Sequence, residues 1–154
     1  MGSSPVTLLD SALADVTRLG LDTAPIIYFV EAHPRYDALV TEVFQRIANG
    51  RLVGVTSVIT LTEVLVQPLR RGELTLQRQY LDLLRHSDNI EIAGIDPAIA
   101  ERAAELCARH NLRTPDALQI AAALLTGCQA FLSNDAALKR VMDLRVFVLD
   151  ELTL

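Results

Sequence analysis

Short apolar runs alternate along this chain with longer segments whose apolar residues recur every three or four positions. The runs "VTRLGL" (16–21), "LVGVTS" (52–57), "IEIAG" (90–94), "AFLS" (130–133) and "VFVL" (146–149) have the length and composition of buried strands. Helical spacing marks 24–32, 36–49, 60–69, 74–87, 97–110, 115–126 and 135–142, and a short helix is expected near 6–14. In 97–110, Ile99, Ala103, Leu106 and Cys107 form an apolar stripe while Glu101, Arg102, Glu105 and Arg109 take the opposite face, so this helix is half exposed. Segment 115–126 is apolar almost all round and must be buried on most sides, its alanines permitting close approach. The regular alternation of strand and helix predicts an α/β domain around a mainly parallel sheet of about five strands.

No linker, repeat or low-complexity tract divides the 154 residues, so one domain is expected over 1–154, with 1–15 as a short N-terminal extension, expected helical. The hydrophobic fraction of 51% and mean hydropathy of +0.30 are high, yet no apolar run approaches the roughly 18 residues needed to span a bilayer. The surplus apolar surface is expected to meet another protein chain. "MGSSPVTLLDSALADV" lacks the basic, apolar and small-residue order of a signal peptide, which predicts a cytoplasmic location. Cys107 and Cys128 have no metal-ligand spacing and read as reduced core residues.

A formal charge of −5 and a pI near 5.1 exclude a surface built throughout for nucleic acid, though not a local site. Lys139 is the sole lysine among 14 basic residues, and the arginines include Arg70, Arg71, Arg78 and Arg85. Guanidinium forks suit phosphate, but such usage also reflects base composition. His33, His86 and His110 fall in or beside helix ends and turns, without a neighbouring nucleophile or carboxylate, and read as non-catalytic.

Four carboxylates remain. Each has a structural reading: Asp116 follows Thr114-Pro115 at a helix start, with Thr114 as N-cap. Asp135 follows Ser133 and Asn134, either of which could cap the next helix, and Asp22 precedes the helix opening at Pro25. Thr60 and Glu63 match the S/T-x-x-E capping box. Taken together they differ, because Asp22, Glu63 and Asp135 all lie just past, or one short turn beyond, the C-terminal end of a predicted strand. Those ends share one edge of a parallel sheet, the usual ligand crevice. Asp116 opens the buried helix that leads to the last of these strands. Clustered carboxylates stay ionised only beside a cation, and an all-oxygen set suits Mg²⁺ or Mn²⁺ rather than zinc.

With "LDTAPIIYFVE" (21–31), "TSVITLTEVL" (56–65), "RTPDALQIAAAL" (113–124) and "FLSND" (131–135) in order and suitably spaced, the chain resembles the PIN-domain nucleases, particularly the small VapC-like toxins. The resemblance implies a three-layer α/β/α fold and a metal-dependent endoribonuclease, the toxin of a type II toxin–antitoxin pair. Asp22, Glu63, Asp116 and Asp135 would be its acidic quartet around Mg²⁺ or Mn²⁺, using metal-activated water for in-line attack and leaving a 5'-phosphate. Thr23, Ser57 and Ser133 fall where hydroxyls support such carboxylates, and Arg70, Arg71 and Arg113 are candidates for holding the RNA backbone. Ala24 departs from the polar residue that often follows "DT" in the family. The resemblance further implies a homodimer neutralised by a small antitoxin whose arginine approaches the acids; segments 36–49 and 74–87 are the expected dimer and partner surfaces.

Two other readings compete. A haloacid-dehalogenase-like phosphatase also opens with an aspartate after a strand, but its second aspartate would fall at Ala24. A catalytically silent PIN domain acting as a scaffold would not need all four acids.

Overall fold

The computed structural model describes residues 5–154, and every apolar run of the sequence is a strand in it. In chain order the strands are β1 (Thr7–Leu8), β2 (Arg18–Leu21), β3 (Val53–Ser57), β4 (Ile90–Ala93), β5 (Ala130–Ser133), β6 (Arg145–Val148) and β7 (Leu152–Thr153). The helices are α1 (Leu9–Leu13), α2 (Thr23–Val30), α3 (Asp37–Ala48), α4 (Val58–Arg71), α5 (Leu74–His86), α6 (Pro97–His110) and α7 (Thr114–Leu125).

Five strands form one wholly parallel sheet in the order β4-β3-β2-β5-β6. The chain steps outward from β2 through β3 to β4, then crosses back to lay β5 on the other side of β2. That reversal makes a topological switch point at the C-terminal ends of β2 and β5, the kind of place where open α/β sheets bind ligands.

Both faces of the sheet are covered. Leu19 and Leu21 of β2, with Ala130 and Leu132 of β5, join one core with α1, α2, α3 and α5, where Ile26, Val40, Ile47 and Tyr80 are buried. Phe131 of β5 points the other way and packs with Val55 against α6 and α7, among Ile99, Leu106, Ala117 and Ile120. Alternate residues of one strand therefore serve opposite layers, which is why these strands read as unbroken apolar runs.

Helix α7 comes close to β2 because the residue facing it is Gly20. A Cβ there would stand 2.7 Å from Phe131 Cδ1 and 2.8 Å from Ala123 Cβ. Gly20→Ala is therefore expected to destabilise the fold by about 1–3 kcal/mol through overpacking. Denaturant unfolding checks this: the midpoint should fall while the slope stays unchanged.

Several local expectations are corrected. Residues 1–4 of the N-terminal extension lie outside the described residues, and the helix expected over 6–14 is in part a strand: β1 pairs in parallel with β7 before a five-residue α1 begins. A partner strand from the opposite end of the chain overrides the local pattern. Helix α4 starts at Val58 with Ser57 as cap, Ser57 Oγ accepting the Ile59 N–H at 3.1 Å, so Thr60 and Glu63 form no capping box. The N-cap of α7 is Arg113 rather than Thr114, with no side-chain cap bond. Asp135 is itself the cap of the next element, a 3₁₀ segment over Ala136–Arg140 instead of an α-helix.

Both cysteines are free, and burial pushes the Cys128 thiol up, which suits an inert packing residue. Among the described residues no helix is long and apolar enough to cross a membrane. The exposed large apolar side chains include Val58, Val66 and Leu69 of α4 and Leu74 of α5, while α3 contributes none of them. The apolar stripe of α3 is spent on the core through Val40, Val43, Phe44 and Ile47.

Candidate active site

Each acid is positioned by the element before or after it. Asp22 is the first residue after β2 and the N-cap of α2. Glu63 lies in the second turn of α4, which starts directly after β3, and Asp116 in the first turn of α7. Asp135 lies two residues past the end of β5 and caps the 3₁₀ segment through the Ala137 N–H at 3.0 Å. The ends of β2 and β5 and the opening turns of α4 and α7 thus bring the four acids to the same edge of the sheet.

Their hydrogen bonds leave oxygens over. Asp22 is held on both sides, accepting the Thr23 N–H at 2.9 Å on Oδ1 and the Ser133 hydroxyl at 2.8 Å on Oδ2. Ser133 Oγ in turn accepts the Asp135 N–H at 3.0 Å, tying the two acids together. Glu63 Oε1 accepts the Thr23 hydroxyl at 2.6 Å, and Asp116 Oδ2 accepts the Arg113 Nε–H at 3.2 Å. Glu63 Oε2, Asp116 Oδ1 and Asp135 Oδ2 have no hydrogen-bond partner among the described residues. Asp116 makes no capping bond at all, although its place in the first turn favours negative charge.

The electrostatics of the edge favour a positive charge. Burial raises the Asp22 carboxyl above its ordinary value; the Ser133 and Thr23 bonds oppose this, and the charges of Asp116 and Glu63 add to it. Arg113 answers in part, its guanidinium held protonated by Asp116 first and by Asp135 and Glu63 at longer range. Its side chain is 80% exposed against 15% for Asp116, so solvent screens the pair.

A divalent cation fits this donor set. The spare ligands are all carboxylate oxygens, hard donors of the kind Mg²⁺ and Mn²⁺ prefer. Among the described residues no three His, Cys, Asp or Glu side chains are already disposed as a ligand shell.

A family model, the PIN domain, matches residues 20–144, from β2 through the approach to β6 and including all four acids. The chain belongs to the PIN-domain family. Solved PIN-fold structures resemble it over nearly their whole length. VapBC2 from Rickettsia felis, bound to a DNA fragment from its promoter, has a TM-score of 0.69 at 17% identity, covering 86% of this chain and 98% of that one. A toxin–antitoxin complex from Klebsiella pneumoniae gives 0.63 at 20% identity, with 86% and 98% covered. VapC20 from Mycobacterium tuberculosis, described as a sarcin–ricin loop cleaving toxin, gives 0.64 at 18% identity, with 84% and 99% covered. No curated protein matches the chain. The three-layer architecture around a five-stranded parallel sheet is that of the VapC-like PIN fold. Family membership sets aside the haloacid-dehalogenase reading.

In this PIN domain the other residues singled out from the sequence fall into two groups. Thr23 and Ser133 touch the acids directly, and Arg113 reaches Asp116. Ser57 touches none of them, because its hydroxyl donates to Gln119 Oε1 at 2.5 Å. Arg71 is paired with Glu73 at 3.8 Å, and Arg70 stands exposed beside it at the far end of α4. The histidines are elsewhere: His33 tilts against Tyr28 and Tyr36, His110 stands 3.5 Å from Asp143, and His86 ends α5. Sequence reasoning missed Gln119 and gave Thr60 only a capping role, yet both are buried behind the acids. A signal was available for Gln119, since an amide inside an otherwise apolar, all-round-buried helix must be hydrogen-bonded.

Proposed function

We propose that this PIN domain is a Mg²⁺- or Mn²⁺-dependent endoribonuclease, the toxin of a type II toxin–antitoxin pair. The observation that carries the reading is the set of unpartnered carboxylate oxygens on Glu63, Asp116 and Asp135 beside Asp22, whose carboxyl is raised by burial first and then by the charges of Asp116 and Glu63. A bound divalent ion would supply charge stabilisation on the phosphodiester and lower the pKa of a water. Asp22, Asp116 and Asp135 would chiefly hold the cation, and Glu63 would ligate it directly or through a water and help to orient the nucleophile. Thr23 and Ser133 keep Glu63 and Asp22 in place.

Arg113 approaches the acids from outside and is free to turn to a backbone phosphate once a cation neutralises Asp116. Phosphate contacts position RNA without reading its sequence. Arg113→Ala is expected to weaken RNA binding similarly across sequences and to lower the salt slope by about one. Binding titrations at several salt concentrations check this, and an unchanged slope would remove Arg113 from the RNA path.

The relatives solved as toxin–antitoxin complexes support a small antitoxin partner, and the same acidic edge is where its arginine would enter. Val58, Val66 and Leu69, exposed on α4, would offer an apolar surface to a homodimer. A cytoplasmic location accords with this role.

Cleavage of labelled single-stranded RNA tests the reading. Cutting is expected with Mg²⁺ or Mn²⁺, with 5'-phosphate ends, and none in EDTA. Cutting that persists in EDTA would sink the metal-dependent mechanism. A protein that binds no divalent metal and cuts no RNA would instead be the silent scaffold.

A further inference from the structure

Behind the carboxylates lies a polar cluster sealed from solvent. Thr56, Ser57, Thr60 and Gln119 are each at most 3% exposed, between α7, β3 and the first turn of α4. Polar groups so placed cost stability unless each is bonded. Here the Gln119 amide is fully used: Oε1 accepts the Ser57 hydroxyl at 2.5 Å, and Nε2 donates to Thr60 Oγ1 at 2.6 Å and Thr23 Oγ1 at 3.2 Å.

The direction of these bonds follows from proton counting. A hydroxyl has one proton, and an ionised carboxylate only accepts. The Thr23 proton therefore goes to Glu63 Oε1 at 2.6 Å, so every other contact of Thr23 Oγ1 must donate to it. Those contacts are the Gln119 amide and Thr60 Oγ1, the latter at 3.0 Å. At the other end, Ser57 Oγ already accepts the Ile59 N–H, which frees its proton for Gln119 Oε1. The Thr23 end demands this amide orientation, and the Ser57 end accords with it. The flipped amide would set its oxygen against Thr23 and compete with Glu63 for the Thr23 proton.

Glu63 is exposed on α4, and Thr23 supplies its one hydrogen bond. We propose that Gln119 is a positioning residue of the active site: by donating to Thr23 and Thr60 it commits the Thr23 proton to Glu63 and fixes that carboxylate for the cation. The inference rests on the metal-site reading above and extends it into the buried layer, where Gln119 touches neither cation nor RNA. Its effect passes through Thr23 alone.

Mn²⁺ titration followed by electron paramagnetic resonance tests this on the wild type, Gln119→Met, Thr23→Val and the double variant, with folding checked by circular dichroism in EDTA. Gln119→Met is expected to weaken Mn²⁺ binding roughly tenfold or more, as loss of a ligand's supporting partner does. In the Thr23→Val background the same change should cost less than about twofold, because the relay is already cut. Should Gln119→Met not fold, Ser57→Ala carries the test: it leaves the amide free to turn and should weaken binding roughly threefold. Wild-type affinity in a folded Gln119→Met protein, or a full loss persisting without Thr23, would overturn the proposal alone. A wild type that binds no Mn²⁺ would overturn the metal-site reading and the proposal with it.

Discussion

Asp22→Asn is expected to lower metal-dependent RNA cleavage by on the order of 10²–10³-fold while leaving the fold intact. Asp22 is gripped on both oxygens, so its carboxylate is held in place before any cation arrives. Asn keeps the shape and removes the charge. The same substitution should leave a pH signature in the metal-free protein. The folded-state carboxyl of Asp22 is raised, chiefly by burial, so the folded protein holds this proton more tightly than the unfolded chain. The stability of the wild type in EDTA therefore falls as pH rises through the raised value, and the Asn variant lacks that loss. Thermal midpoints in EDTA from mildly acid to neutral buffer should show the variant gaining on the wild type as pH rises. A constant difference would mean that Asp22 carries no buried charge.

Divalent metal should in turn stabilise the wild type. At a hundredfold excess over Kd, binding to the folded state alone contributes about 2.7 kcal/mol. For a domain of this size that corresponds to roughly 5–10 °C in Tm. EDTA should reverse the shift, and Asp116→Ala should abolish most of it, because the carboxylate lost has an oxygen free of other bonds. Calorimetric scans with and without Mg²⁺ or Mn²⁺ check this. An equal shift in Asp116→Ala would place the stabilising ion elsewhere on a protein that is acidic overall.

The elements that carry the acids were legible because their signals are local. Strands buried on both faces read as short apolar runs, and a carboxylate just past such a run must lie at the sheet's C-terminal edge, which is how Asp22 and Asp135 could be placed. Glu63 was reached with a wrong cap, since S/T-x-x-E fits Thr60 as well as a true box does while Ser57 ends β3 and caps α4 at once. The pairing of β1 with β7 was out of reach, because two-residue strands from opposite ends of the chain leave no periodic trace. Gln119 was hidden in the apolar run of α7; only the buried network reveals that its amide joins Ser57 to Thr23. Arg113 was legible as a candidate for holding the RNA backbone, but its contact with Asp116 depends on where α7 begins. Short-range pattern located the charged groups, whereas the bonds between them depend on which helices the sheet brings together.

A crystal of the protein grown with Mn²⁺ and measured for anomalous scattering would locate the ion outright. A Mn²⁺ peak is expected at the C-terminal edge of β2, within bonding distance of carboxylate oxygens from Asp22 and Asp116. A saturating Mn²⁺ concentration that leaves this edge without a peak, Arg113 still closed on Asp116, would contradict the metal site.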